Sequence, residues 1–138
     1  MVSFFVFLVS ACSKNPKPIA FGIDNCDHCK MNISDTRFGA ELITKKGRIY
    51  KFDDVYCLKH FLKEEVVTTD QVHALWLVDF AETEKLIPSE TATLLHNPEL
   101  RSPMGSNAAA FGNKEELNHY LKEYSGTVLL WQEYIDLK

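Results

Sequence analysis

The chain has 138 residues, with 15 Lys and Arg against 19 Asp and Glu, for a formal net charge of −4. Hydrophobic residues at 46% and charged residues at 25% are globular values, which excludes wholesale disorder and supports one unit or two small halves sharing a core. An acidic balance lacks the basic face that nucleic-acid binding needs, and four cysteines are too few for a disulfide-framework miniprotein.

The chain opens Met-Val-Ser-Phe-Phe-Val-Phe-Leu-Val-Ser-Ala and runs directly into Cys12. Small residues Ser10 and Ala11 before a Cys resemble the bacterial lipoprotein signal, in which a peptidase cuts before that Cys and the Cys is acylated. The basic n-region usual in such signals is missing. The bland alternative is a buried apolar strand that ends in Cys. The apolar run is too short to span a membrane as a helix. On the lipoprotein reading, residues 1–11 are a signal peptide and Cys12 is the lipid attachment site. Residues 12–22 are then a tether, stiffened and solvated at Asn15-Pro16-Lys17-Pro18. The folded domain, 23–138, would sit in the cell envelope on the periplasmic side, lipid-anchored. Ser13 rather than Asp after the acylated Cys points to the outer membrane.

Past the tether, Phe38–Thr44 and Arg48–Phe52 read as two strands joined by a Lys45-Lys46-Gly47 turn. Asp53 or Asp54 can cap a helix whose apolar positions Val55, Leu58, Phe61 and Leu62 share one face. An apolar strand carrying Trp76 is expected over His73–Phe80, then a loop containing Pro88. Thr91–His96 and Asn107–Phe111 read as further strands. Asn113 starts a second helix, with Glu116 three residues on as a variant capping box. Thr127–Tyr134 is expected as the last strand.

A shift of 59 residues lays Phe52, Leu58, His60, Leu62, Lys63 and Glu64 on Phe111, Leu117, His119, Leu121, Lys122 and Glu123. The expected fold class is therefore α+β, a tandem duplication of a strand-strand-helix-strand unit with halves at about 23–85 and 86–138.

The chemistry is concentrated in Cys26-Asp27-His28-Cys29-Lys30-Met31. A Cys-x-x-Cys pair brings two thiolates within reach of one ion, and Met31 adds a thioether. Thiolate with thioether is a soft donor set that selects Cu(I), whereas zinc prefers Cys, His and carboxylate. His28, between the cysteines, is either a solvated loop residue or a further donor. Nothing suggests an enzyme, since nucleophile elbow, phosphate loop and zinc-hydrolase motifs are missing from the sequence.

Val9-Ser10-Ala11-Cys12, the Cys26–Met31 motif, Phe52-Asp53-Asp54-Val55 and Ser102-Pro103-Met104-Gly105-Ser106 together resemble the NosL family. These are copper-binding accessory lipoproteins of nitrous oxide reductase maturation, and the resemblance runs over nearly all of the chain after the signal. It implies a tandem strand-strand-helix-strand fold. It also implies a Cu(I)-holding metallochaperone, with Cys26, Cys29, Met31 and Met104 as metal ligands. The implied partners are nitrous oxide reductase or the membrane transporter complex that assembles its copper site. Many members have Gly where this chain has Lys30. By itself, Met104 in its Pro-Met-Gly-Ser loop reads equally as a gap filler at the core edge.

Two alternatives use the same cysteines. Cys57 and His60, three apart on the first helix, would complete a four-ligand zinc site with Cys26 and Cys29. Against it, His119 recurs in the second half without a cysteine pair, and Cys57 alone reads as a small buried hydrophobe. Thiol redox cycling of Cys26 and Cys29 is the other alternative. That chemistry normally places the pair after a strand, opening a helix, whereas here it precedes a hairpin.

Overall fold

The computed structural model describes residues 14–138; the expected signal peptide, residues 1–11, and the expected lipid attachment site Cys12 lie outside the described residues. Two antiparallel sheets carry the fold. In the first half, β1 (Ala40–Thr44), β2 (Ile49–Phe52), α1 (Val55–Lys63), β3 (Val72–Val78) and β4 (Leu86–Pro88) follow one another. In the second, β5 (Thr93–His96), β6 (Ala108–Phe111), α2 (Lys114–Tyr124), β7 (Thr127–Leu130) and α3 (Trp131–Asp136) complete the chain. Strand orders are β2-β1-β3-β4 and β6-β5-β7. The first half thus adds β4, and the second α3, to a run of strand, strand, helix, strand, and β1 and β5 each pair with the two other strands of that run.

The register follows side-chain alternation. Leu94, Ala108 and Ala110 point from the second sheet into the main core, which they share with Leu42, Leu58, Phe61, Trp131 and Tyr134. Their neighbours Leu95, Ala109 and Phe111 point the other way and pack with Leu117 of α2. The second sheet is therefore covered on both faces. A parallel bridge between Asp79 and Ala110 joins it to the end of β3. The positions matched by the 59-residue shift occupy like places: Phe52 and Phe111 end β2 and β6, and Leu58 and Leu117 are buried on α1 and α2.

Three differences from the sequence reading have physical causes. The segment around Pro88 forms β4 rather than a loop, as an edge strand on β3, where a missing N–H is tolerated. Thr127–Tyr134 is strand only as far as Leu130 and then turns into α3. Trp131 and Tyr134, three apart, enter the core together. The Leu130 N–H is taken by the Glu133 carboxylate at 2.7 Å, and Lys59 Nζ donates to the Tyr134 and Leu137 carbonyls at 3.0 and 2.7 Å. Third, the stretch read as a stiff, solvated tether is packed towards its end, with Ile19 part of the main core. There the Lys17 N–H donates to Glu41 Oε1 at 3.0 Å. Glu41 is fully buried on the central strand, and burial pushes its carboxyl above the usual range.

Candidate metal centre

Residues 20–33 form a small hairpin closed by a bridge between Asn25 and Asn32. At its tip the Cys26 N–H donates to the Met31 carbonyl at 2.8 Å and the Lys30 N–H to the Cys26 carbonyl at 2.9 Å. That turn requires Lys30 at φ +67, the left-handed region where glycine is favoured. The hairpin is fastened to β2 by reciprocal bonds, Asp27 N–H to Lys51 O at 2.8 Å and Lys51 N–H to Asp27 Oδ2 at 2.7 Å. The Lys51 ammonium also meets Asp24 Oδ2 at 2.6 Å, and this bond holds the Asp24 carboxyl below its ordinary range.

Opposite the hairpin stands the start of α1. Of the two consecutive acids there, Asp54 caps the helix, its Oδ1 accepting the Tyr56 N–H at 3.1 Å. Asp53 is thereby left to face the cysteines, and the Cys29 thiol lies 3.5 and 3.6 Å from its two oxygens. Cys57, in the first turn of α1, points inward beside them. The sulfurs of Cys26, Cys29 and Cys57 and a carboxylate oxygen of Asp53 all lie within 4.8 Å of one another. Cys26 and Cys57 are fully buried, Asp53 nearly so, and Cys29 is half-buried. All three cysteines are free thiols.

The three are not chemically equivalent. The Cys57 thiol donates to the Cys26 sulfur, which with the N–H groups of Cys29, Asp53 and His28 brings Cys26 down to about 6 against the burial cost. Donating to Cys26 pushes the Cys57 thiol far up, with burial adding to it. Burial raises Cys29 to about 11. At neutral pH the cluster thus holds one thiolate and two thiols, so a cation taking all three sulfurs must displace two protons.

The structure sorts the sequence candidates. Cys26 and Cys29 are in the cluster, and Cys57, fully buried in the main core, lies within reach of them. Met31 is 58% exposed and faces solvent. Met104 is partly buried against the core that contains Cys26 and Cys57. His28 lies beside the cluster with Nε2 3.2 Å from Glu64 Oε1, while its buried Nδ1 has no protein partner. Both His28 and Glu64 line an adjoining cleft of about 560 Å3. His60 is not among the converging donors; its ring packs on Tyr56 at 4.1 Å between centroids. Asp53 takes the fourth place. Sequence reading saw it only as a cap candidate, yet a second acid beside a cap has no helix N–H of its own to accept, which was the available signal.

The NosL family model matches residues 21–136 of the chain. NosL is not an enzyme family. No curated protein matches the chain in sequence. Among solved structures it is similar to the crystal structure of the copper chaperone NosL from Shewanella denitrificans, with a TM-score of 0.72 and 21% sequence identity. That alignment covers 88% of this chain and 96% of the other, and at such identity it speaks for the fold alone. With the family model spanning residues 21–136, and so both sheets and all three helices, the chain belongs to the NosL family.

Proposed function

We propose that this protein is a metallochaperone that holds Cu(I) on Cys26, Cys29 and Cys57, with Met104 as a thioether donor, and releases it to an acceptor. The observation that carries the reading is the convergence of three free sulfurs within 4.8 Å on one side of a hairpin loop. Sulfur donors favour Cu(I) over hard cations. The solved structure it resembles is that of a copper chaperone, which supports the same reading. Half-buried Cys29 offers the accessible sulfur through which an acceptor can begin ligand exchange. The acceptor in this proposal is nitrous oxide reductase or the transporter complex that assembles its copper site.

A zinc reading keeps one specific support: three sulfurs and the Asp53 carboxylate make a four-donor set of the kind zinc accepts. Anaerobic protein equilibrated with both ions decides between them. One Cu(I) per chain, displacing zinc, is the expected content by native mass spectrometry. Stoichiometric zinc that survives excess Cu(I) and disappears in Asp53→Asn would replace the copper reading with the zinc one.

We also propose that the protein acts from the cell envelope, tethered through acylated Cys12. Copper chemistry and anchoring then separate cleanly, because the hairpin cluster is built from residues 26 onward. Cys12→Ser is expected to move the protein from the membrane to the soluble fraction with its Cu(I) affinity unchanged. Membrane association surviving that substitution would remove the anchor from the proposal.

A further inference from the structure

We propose that Asp54 is a positioning residue for copper binding, one buried carboxylate that fixes the Met104 loop of the second half against the thiol cluster of the first. The inference rests on Met104 being a copper donor. Asp54 is fully buried, and among the described residues no Lys, Arg or His pairs with it. Its charge is met by neutral donors instead. While Oδ1 caps α1, Oδ2 accepts the Ser102 hydroxyl at 2.6 Å, the Met104 N–H at 2.9 Å and the Ser106 N–H at 3.4 Å.

The loop it receives does not hold itself in place through secondary structure. Arg101, Gly105 and Asn107 all have left-handed backbones, at φ +48, +78 and +50. Internal bonds make it a rigid unit: the Asn107 N–H donates to Ser102 Oγ at 2.8 Å, and the Ser102 N–H to Asn107 Oδ1 at 3.2 Å. Ser102, Met104 and Ser106 then turn three donors towards one oxygen of α1. Two adjacent acids thus divide the work. Asp53 faces the cysteines and Asp54 holds the chain that carries Met104.

Only a carboxylate meets this arrangement. An Asn at position 54 must turn its NH2 group either on the Tyr56 N–H or on the loop, where the Ser102 hydroxyl can reverse to accept but the Met104 and Ser106 N–H groups cannot. Removing a partner that orients a metal ligand typically weakens metal affinity roughly 10–100-fold. Asp54→Asn should therefore lose Cu(I) affinity in that range without touching any sulfur.

The experiment is a double-mutant cycle on the full chain, with Cu(I) affinity measured by chelator competition and sulfur coordination by X-ray absorption. Asp54→Asn and Met104→Leu are each expected to weaken binding and to remove one sulfur scatterer, and the double variant to bind no more weakly than Met104→Leu alone. Losses that simply add would show that Asp54 acts elsewhere in the fold and overturn the positioning role. Full affinity in folded Asp54→Asn, with Met104→Leu impaired, overturns it as well. Wild-type affinity in Met104→Leu would instead remove the thioether from the site and, with it, this inference. Ser102→Ala, which takes away one donor and leaves the cap intact, covers the case in which Asp54→Asn does not fold. It should weaken binding in wild-type protein and have no effect on top of Met104→Leu; full affinity in that variant overturns the proposal.

Discussion

Replacing Cys26 by Ser is expected to weaken Cu(I) binding by more than about 100-fold, beyond what loss of an outer orienting partner costs. Cys26 is fully buried within the cluster, and the neighbouring Cys57 thiol is the largest influence that holds its own thiol low, at about 6. It is also the group already deprotonated at neutral pH, so it offers the metal a thiolate without a proton cost. A hydroxyl can accept from the same donors, and the fold should survive at a cost of about 1–2 kcal/mol. The oxygen is nevertheless a hard donor and does not replace a soft one. Chelator competition on the folded variant measures the loss. Wild-type affinity would remove Cys26 from the site and with it the proposed geometry.

The largest effect on stability is expected far from the cluster, at Gly126→Ala. Gly126 lies at φ +119, a backbone region closed in practice to residues with a side chain. A Cβ there would collide with the His96 carbonyl oxygen and crowd Asn97 Cβ and Leu95 Cδ1, both at 3.2 Å. β7 would have to draw away from β5, and it carries α3, whose Trp131 and Tyr134 sit in the shared core. Strain and lost packing together should cost about 3 kcal/mol, or roughly 10 °C in Tm. Gly22→Ala is the matched control: its φ of +82 is also left-handed, but nothing lies within 4 Å of the added carbon. Thermal melts that lower Tm equally in both variants would show that backbone conformation alone matters and that the β5–β7 contact is not the tight point.

The element pattern was largely legible because local signals agreed with tertiary ones. The Lys45-Lys46-Gly47 turn marked the β1–β2 pair, an apolar run marked β3, and the 3.6-residue spacing of Val55, Leu58 and Phe61 marked α1. Asn113 does cap α2, its side chain accepting the Glu115 N–H at 2.7 Å. The strand expected over 127–134 fails from Trp131 onward because Val128 to Trp131 is a continuous apolar run, which fits either period. Its choice of helix is made by distant groups: the core that takes Trp131 and Tyr134, and Lys59 on the last carbonyls.

The candidate site divides along the same line. By itself the sequence determined the sulfur chemistry, because a Cys-x-x-Cys loop brings two thiols together within four residues whatever surrounds them. It also determined that one of Asp53 and Asp54 caps α1, since helix capping is local. Only the tertiary structure decided the rest. Cys57 and Asp53 reach the loop because α1 packs across β1 and β2, to which the hairpin is bonded through Lys51. Met31, five residues from Cys26, is exposed, while the backbone of Met104, in the other half, is hydrogen-bonded to Asp54 at the start of α1. Proximity along the chain fixes which atoms are available; the direction each side chain takes depends on packing and on bonds between segments 24 to 52 residues apart, which no local pattern encodes.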